Sequence, residues 1–246
     1  MIHHPIDKNK WRTFFIMETL NTMKLSKDTI EILKNFSTIN SNILVEPGNV
    51  IKTISPVKNV MSQATVAETF DTQFGIWDLG KFLGTISLFD NPEFSFNDKY
   101  VTIAGSNGTK VIYYFSEPKL LTTINKNINM PDSVVSFVLK ENDFSELQKA
   151  SSVLQLQDLC LQTKEGRMEL VALDKKDPTS NNYSIDLGIL SHDDDDFEFY
   201  FKVENLKLMS GDYDVEVTDK GVSKFTSKSL DLTYWIALES DSRYGG

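Results

Sequence analysis

Cysteine and histidine are scarce in this chain of 246 residues, which contains one cysteine and three histidines. The single cysteine, Cys160, excludes an intramolecular disulfide and is typical of a protein from a reducing compartment. Because Cys160 falls within a predicted strand, we expect a buried, inert thiol rather than a nucleophile. The histidines lie near the N-terminus or in one acidic turn, so no zinc set, Ser–His–Asp triad or Cys–His pair is indicated.

Long apolar runs and nucleotide-binding motifs are also missing from the sequence. No stretch approaches the ~18 apolar residues that a membrane-spanning helix needs, so we predict no membrane partner. There is no glycine-rich phosphate loop and no dinucleotide fingerprint. We therefore predict no catalytic residue, no metal and no cofactor, which favours a protein that is not an enzyme.

Positive charge is in deficit, since 25 Lys and Arg face 35 Asp and Glu, for a formal net charge of −10. Phosphate contacts require Lys and Arg, so the net charge taken alone argues against nucleic-acid binding. A net charge does not report where the positive side chains lie, however. An acidic protein can still present one basic face.

A repeat organises what is present. Two amphipathic helices are predicted, at Lys24–Phe36 and Asn142–Leu154, and each leads into a strand, a turn and a second strand. The two units lie roughly 115–120 residues apart. Solenoid repeats are shorter, at about 20–50 residues, so this spacing indicates a duplicated domain.

Two further helices complete the predicted plan, one following Asp78 as its N-cap and a short one at Val203–Met209. With the strands between them, each half holds two helix-plus-sheet units. The fold class predicted is therefore α+β, with two similar domains, each with two helices packed on antiparallel sheet. The predicted divisions are an N-terminal extension (1–22), domain 1 (23–115), an interdomain linker (116–131) and domain 2 (132–246).

The most conspicuous polar cluster is His192 followed by four aspartates, Asp193–Asp196. Carboxylates at this density could hold Ca²⁺ or Mg²⁺, and a metal-dependent hydrolase built on them is a distant alternative. The glycine and bidentate glutamate of an EF-hand loop are missing. A solvated acidic turn between two strands is the favoured interpretation.

Lysines recur on the polar sides of the four predicted helices: Lys27, Lys34, Lys81, Lys149 and Lys207. If all four helices line one surface, this acidic chain presents a locally basic strip. Ordinary solvated lysines are the alternative, which the pattern alone favours.

Several segments in order resemble one family. The sequence MKLSKDT from Met23, LKNFSTINS at 33–41 and WDLGKFLGTISL at 77–88 are similar to the sliding clamps of T-even-type bacteriophages, the processivity factors of their DNA polymerase. KEG at 164–166, MSGDY at 209–213 and ALESD at 237–241 are further landmarks. The resemblance runs from Met23 to about Asp241.

The resemblance implies a homotrimeric ring formed head to tail, with helices facing a central hole around duplex DNA. It implies as partners the DNA polymerase, an ATP-dependent clamp loader and, in late viral transcription, RNA polymerase or late transcription factors. The location implied is the cytoplasm of the infected bacterial host. The DNA-facing residues expected are Lys27, Lys34, Lys81, Lys149, Lys202 and Lys207.

The resemblance implies that the ring closes by strand-to-strand pairing between neighbouring subunits. The candidate edges are 111–115 and 183–187, with Val111, Tyr113, Phe115, Tyr183, Ile185 and Leu187 as interface residues. An apolar pocket for partner peptides is implied beside the linker, but the sequence does not assign its residues. The extension departs from the family and favours translation starting at Met23 rather than Met1 or Met17. The main rival is a non-catalytic viral structural or adaptor protein that assembles through its sheet edges.

Overall fold

The computed structural model describes residues 22–124, 129–189 and 196–245. Within them lie three α-helices, α1 (Lys27–Ile39), α2 (Leu79–Ile86) and α3 (Glu141–Leu154), and two short 3-10 helices. The strands of the first half are β1 (Thr22–Met23), β2 (Ile43–Val45), β3 (Gly48–Ile54), β4 (Val60–Phe70), β5 (Phe74–Ile76), β6 (Glu93–Phe96), β7 (Tyr100–Ala104) and β8 (Lys110–Tyr114).

The second half continues with strands that repeat this order around α3. They are β9 (Val135–Leu139), β10 (Asp158–Lys164), β11 (Arg167–Leu173), β12 (Tyr183–Ile189), β13 (Phe197–Lys202), β14 (Tyr213–Val217), β15 (Val222–Ser227), β16 (Leu232–Ala237) and β17 (Arg243–Tyr244). One helix follows the first strand of each half, and four strands follow that helix. The predicted duplication is therefore confirmed in the order of the elements.

α2 begins directly after its predicted N-cap, Asp78, whereas α1 begins at Lys27 rather than at the predicted Lys24, and both starts are capped. Ser26 accepts a hydrogen bond from the backbone N–H of Thr29 at 3.2 Å, and Asp78 accepts one from that of Lys81 at 2.8 Å. Each side chain satisfies a donor that has no partner inside its helix. The apolar side of α1 buries Ile32, Leu33 and Phe36, and that of α2 buries Leu79, Phe82 and Ile86.

The prediction of a fourth helix at Val203–Met209 is wrong. Only Val203–Asn205 form a 3-10 turn, and the chain then continues without regular structure. Side chains form hydrogen bonds with backbone groups that would be paired with one another inside a helix. Asn35 Nδ2 donates to the carbonyl of Lys207, and Tyr213 Oη donates to the carbonyl of Met209. Side-chain hydrogen bonds thus replace the i→i−4 bonds, while Leu206 is buried and Val203, Leu208 and Met209 pack against the core as partly buried side chains.

A six-stranded antiparallel sheet joins the two halves, in the order β3-β4-β16-β15-β14-β9. Its central step pairs β4 with β16, and Ser62 lies opposite Tyr234. Two further sheets, β1-β6-β7-β8 and β12-β11-β10-β13-β17, belong to one half each, and β2 pairs with β5. Because β4 and β16 come from opposite halves, backbone hydrogen bonds hold the halves together.

Aromatic side chains fill much of the core, as the count of 16 Phe led us to expect. In the first half the rings of Phe70, Phe74 and Phe96 contact one another, with centroids 4.9–5.7 Å apart. In the second half Cys160 is buried on β10, as predicted, and burial raises the pKa of its thiol to about 12. The thiolate is therefore negligible at neutral pH, and the thiol is unreactive.

Two sequence-based interpretations fall outside the described residues. The N-terminal extension is described only from Thr22, which pairs with Ser95 at the start of the first sheet. Of the acidic turn, His192–Asp195 lie outside, and Asp196 forms an ion pair with Arg243 at 3.0 Å. Neither the extension nor a metal site in that turn is tested.

Tyr234 is the hydrogen-bonding centre of the joint between the halves. Its fully buried hydroxyl donates to Asn35 Oδ1 at 2.8 Å and accepts from the N–H of Met209 at 3.2 Å. We expect Tyr234→Phe to lower the free energy of unfolding by about 1–3 kcal/mol, because it leaves both partners unpaired. Chemical denaturation measures this decrease.

The matched control is Tyr100→Phe, since the Tyr100 hydroxyl forms no hydrogen bond among the described residues and Tyr100 is only half-buried. Removing that hydroxyl should change the free energy of unfolding by less than about 0.5 kcal/mol. Equal effects from the two substitutions would contradict the role given to Tyr234.

Candidate nucleic-acid interface

Contacts and hydrogen bonds connect the three α-helices in series, and we call them together the helix layer. α1 packs against α2. The segment at 205–212 then connects α1 to α3: Lys207 Nζ donates to the carbonyl of Thr38 near the end of α1, and Asp212 accepts from the N–H of Glu141 at the start of α3. The layer therefore runs from α2 through α1 and this segment to α3.

Four of the six predicted DNA-facing lysines are exposed on this layer: Lys27, Lys34, Lys81 and Lys149. Among the described residues, Lys27, Lys81 and Lys149 have no carboxylate within 4.0 Å, whereas Lys34 is paired with Glu31. No arginine occurs in the three helices. Lysines on flexible stems attract phosphates without the fixed bidentate geometry that arginine imposes.

The other two predicted lysines have structural partners. Lys202 Nζ forms an ion pair with Asp158, a carboxylate only 2% exposed, so its charge is neutralised within the protein. The ammonium of Lys207 bonds to the carbonyl of Thr38 in the last turn of α1, where a positive charge also favours the helix dipole. Neither ammonium is free to meet a ligand as those of Lys27, Lys81 and Lys149 are.

Both predicted interface strands lie at sheet edges. β8 ends the four-stranded sheet and β12 ends the five-stranded sheet, and no described strand pairs with the outer side of either. The named residues are half-buried, and Tyr113, Phe115, Tyr183, Ile185 and Leu187 pack against the core. The exposed side chains alternate with them.

Apolar side chains are exposed along these edges and beside them. On β8, Ile112 is 46% and Tyr114 is 69% exposed, and on β12 Ile189 is 76% exposed. Val153, near the end of α3, is 73% exposed, and α3 packs against β12. Apolar side chains next to unpaired strands are typical of an interface surface.

A groove lies between β3 and the segment 122–124, with a volume of about 330 Å³. Val50, Lys52 and Ile54 of β3 line one side, Gln63 of β4 contributes to the floor, and the 122–124 segment closes the other side. Lys52 has no carboxylate within 4.0 Å among the described residues. The sequence did not reveal this groove, because it forms between segments that are distant in the chain.

Neither a metal site nor a membrane span is found in the described part of the chain. In it, no three His, Cys, Asp or Glu side chains are grouped so that they could hold a metal ion. None of the described helices is both long and apolar enough to span a membrane.

Two family models match the chain. One, described as a DNA polymerase processivity factor, matches residues 26–117. The other, described as the C-terminal part of the gp45 sliding clamp, matches residues 136–240. Together they cover most of the chain and fall one on each half.

Curated relatives match over nearly their full length. The sliding clamp of Vibrio phage KVP40 is 34% identical over 223 residues, which cover 89% of this chain and all of that protein. The sliding clamp of Enterobacteria phage T4 is 32% identical over 230 residues, covering 90% of this chain and 99% of that protein.

Solved structures with little sequence similarity share the fold. A. fulgidus PCNA, solved with the C-terminal region of FEN-1, has a TM-score of 0.67 at 12% identity and covers 90% of this chain and 98% of its own. Proliferating cellular nuclear antigen from Entamoeba histolytica has a TM-score of 0.63 at 11% identity, covering 89% and 98%. The predicted fold class is thereby confirmed, except that a 3-10 turn stands in place of the fourth helix.

The Lys202–Asp158 pair yields a stability prediction. Removing the ammonium leaves a buried carboxylate uncompensated, so Lys202→Met should lower the free energy of unfolding by about 3–5 kcal/mol. Chemical denaturation measures it. Lys149→Met is the control, since an exposed lysine without a partner should contribute less than about 0.5 kcal/mol. If Lys202→Met lowered the free energy of unfolding no more than this control does, the Lys202–Asp158 pair would not stabilise the fold.

Proposed function

The chain belongs to the sliding-clamp family of phage DNA polymerase processivity factors, and from that premise we propose that three copies close a ring around duplex DNA. Proteins of this family are non-catalytic, and they act in viral DNA replication. What we add is the assembly, the surface that meets DNA and the site where partners bind. The exposed lysines on the helix layer are the observation that carries the proposal.

The DNA-facing surface proposed is the helix layer, with Lys27, Lys34, Lys81 and Lys149 as its cations. Sliding requires attraction to phosphates without base readout, because a base-specific contact would stop the ring at one sequence. Single lysines spaced along helices fit that requirement. The negative net charge of the remaining surface disfavours DNA elsewhere on the protein.

Ring closure is proposed to pair β8 of one protomer with β12 of the next. The support comes from the internal duplication. β8 is the third strand after α2 as β16 is the third strand after the 3-10 turn Val203–Asn205, and β12 is the third strand after α3 as β4 is the third strand after α1. Since β16 pairs with β4 inside the chain, the equivalent free edges are suited to pair between chains. Their exposed apolar neighbours, Ile112 and Tyr114, would be covered.

This pairing changes the roles that we propose for the interface residues. Val111, Tyr113, Phe115, Tyr183, Ile185 and Leu187 support the two edges from the core side. The side chains that contact the neighbour alternate with them. On β8 the N–H of Phe115 already donates to the carbonyl of Lys99 inside the chain, so the alternate residues Ile112 and Tyr114 present the backbone groups that could pair with a neighbour. We retain the divisions at 23–115, 116–131 and 132–246 as the proposed domain boundaries, and the family models fall on either side of the linker.

Partner docking is proposed in the groove beside 122–124, where a short segment of the DNA polymerase would bind. The groove combines apolar side chains with one cation, Lys52, and one carboxylate, Glu46, and it opens to solvent beside the linker. Its volume accommodates a few side chains rather than a domain.

The remaining partners follow from topology and resemblance. A closed ring cannot reach circular duplex without opening, so an ATP-dependent clamp loader is proposed as a partner. RNA polymerase or late transcription factors are proposed on the resemblance alone. All of these act in the cytoplasm of the infected bacterial host. The rival role as a structural or adaptor protein has no use for the lysine layer.

Charge reversal tests the DNA-facing surface. We expect the combined substitution Lys27→Glu, Lys81→Glu and Lys149→Glu to abolish DNA-dependent stimulation of the polymerase while native mass stays unchanged. Short duplexes should bind at least about ten-fold more weakly, with a salt dependence shallower by ~0.9 for each phosphate that is no longer neutralised.

The control carries the same charge change away from the helix layer, at Lys119, Lys176 and Lys220, which are exposed. It should retain stimulation. An equal decrease in both triple variants would mean that overall charge, not the helix layer, governs DNA binding.

Substitution in the groove tests partner docking. Val50→Glu places a carboxylate among its apolar side chains, and we expect polymerase affinity to fall by at least about ten-fold, as at an interface hot spot. Val57→Glu is the control, because Val57 is 77% exposed in the turn between β3 and β4 and does not line the groove. Both variants should keep the native mass. Unchanged polymerase binding by Val50→Glu would refute docking in this groove.

A further inference from the structure

One acidic side chain lies among the lysines of α1. Lys27, Glu31, Lys34 and Thr38 follow one another at spacings of four, three and four residues, which places them along one side of the helix. Lys27, Lys34 and Thr38 are exposed and Glu31 is half-exposed. The apolar residues of α1 occupy the opposite side. The side of α1 that we assign to DNA therefore carries a carboxylate between its two lysines.

Glu31 contacts one of these cations directly. Its Oε1 accepts a hydrogen bond from Lys34 Nζ at 2.8 Å, and 45% of the Glu31 side chain and 55% of the Lys34 side chain are exposed. Lys27 has no carboxylate within 4.0 Å among the described residues. The charged residues of α1 are Lys27, Asp28, Glu31 and Lys34, so the formal charge of the helix is zero.

We propose that Glu31 is a positioning residue that limits how strongly α1 attracts DNA, by holding Lys34 in competition with phosphate. The inference rests on the proposed function, because it assumes that this face meets the duplex. A phosphate that approaches Lys34 must displace a carboxylate already in contact, whereas a phosphate at Lys27 meets a free ammonium. Every contact that forms during sliding must also break, so a weakened contact favours movement along the duplex.

The exposure of the pair sets the size of the effect. Surface ion pairs between neighbours on a helix are weak, so freeing Lys34 should strengthen binding by only about two-fold for each protomer that contacts DNA. In a ring several protomers can gain this factor together. Each lysine that takes up a phosphate should also steepen the dependence of log affinity on log salt by ~0.9.

The test is a double-mutant cycle on the intact protein with a short linear duplex as the probe. The four proteins are the unmodified chain, Glu31→Gln, Lys34→Gln and the double variant. NMR titrations at several salt concentrations give affinity and salt slope. Glutamine keeps the helix propensity of both positions close to that of the original residues, and thermal unfolding checks that all four remain folded.

We expect Glu31→Gln to bind the duplex more tightly with a steeper salt slope, and Lys34→Gln to bind more weakly. In the Lys34→Gln background, Glu31→Gln should have a markedly smaller effect, because the lysine it restrains is gone. An equal effect in both backgrounds would overturn the inference, since Glu31 would then act only by repelling phosphate.

The cycle separates failure of this inference from failure of the proposed function. If Lys34→Gln weakens binding but Glu31→Gln changes nothing, the DNA-facing surface stands and the role of Glu31 is refuted. If all four proteins bind the duplex alike, α1 does not face DNA, and both the inference and that part of the proposed function fail.

Discussion

Pairing of β4 with β16 is the constraint on which the rest of the structure depends. It joins strands from opposite halves of the chain into one sheet, and the buried hydroxyl of Tyr234 connects that sheet to α1 through Asn35. Backbone hydrogen bonds resist shear between the halves better than side-chain packing alone. The helix layer can therefore act as one surface, since α1 and α3 are fixed to halves that do not move independently. Among the described strands, β8 and β12 leave the same edge chemistry unpaired, and it is the means of assembly that we propose.

Electrostatics in this protein is local rather than global. A chain with a net charge of −10 has four exposed lysines on its helix layer and uses two more internally. The difference lies in the partners: Lys202 compensates a buried carboxylate, which is costly to leave alone, whereas Lys27, Lys81 and Lys149 have no such task. Lys34 lies between these two cases, because its ammonium forms an ion pair with Glu31 on the surface of α1. A weak, graded attraction of this kind suits a ring that must hold DNA without stopping on it.

Local signals predicted most of the fold. Ser26 and Asp78 fixed two helix starts through capping, and alternating apolar residues located nearly every strand. The prediction of a fourth helix failed because Asn35 and Tyr234, which are far away in sequence, and Tyr213, just beyond the segment, form hydrogen bonds with its backbone groups. The sequence also did not predict the groove beside 122–124, the β4–β16 junction or the partner of Lys202, because each forms between residues that are far apart in the chain. The edge residues were placed on the correct strands, but alternation alone did not tell which side of the strand faces the core.

The native mass of the unmodified protein in solution tests the central claim most directly. Light scattering across a range of concentrations should give a species with three times the 27.9 kDa mass of the chain, dissociating on dilution without larger assemblies. A closed ring stops growing because both edges of every protomer are then paired, and three is the number of protomers that we propose. A monomer at every concentration, or a series that grows past three, would contradict the account of β8 and β12 as closing edges.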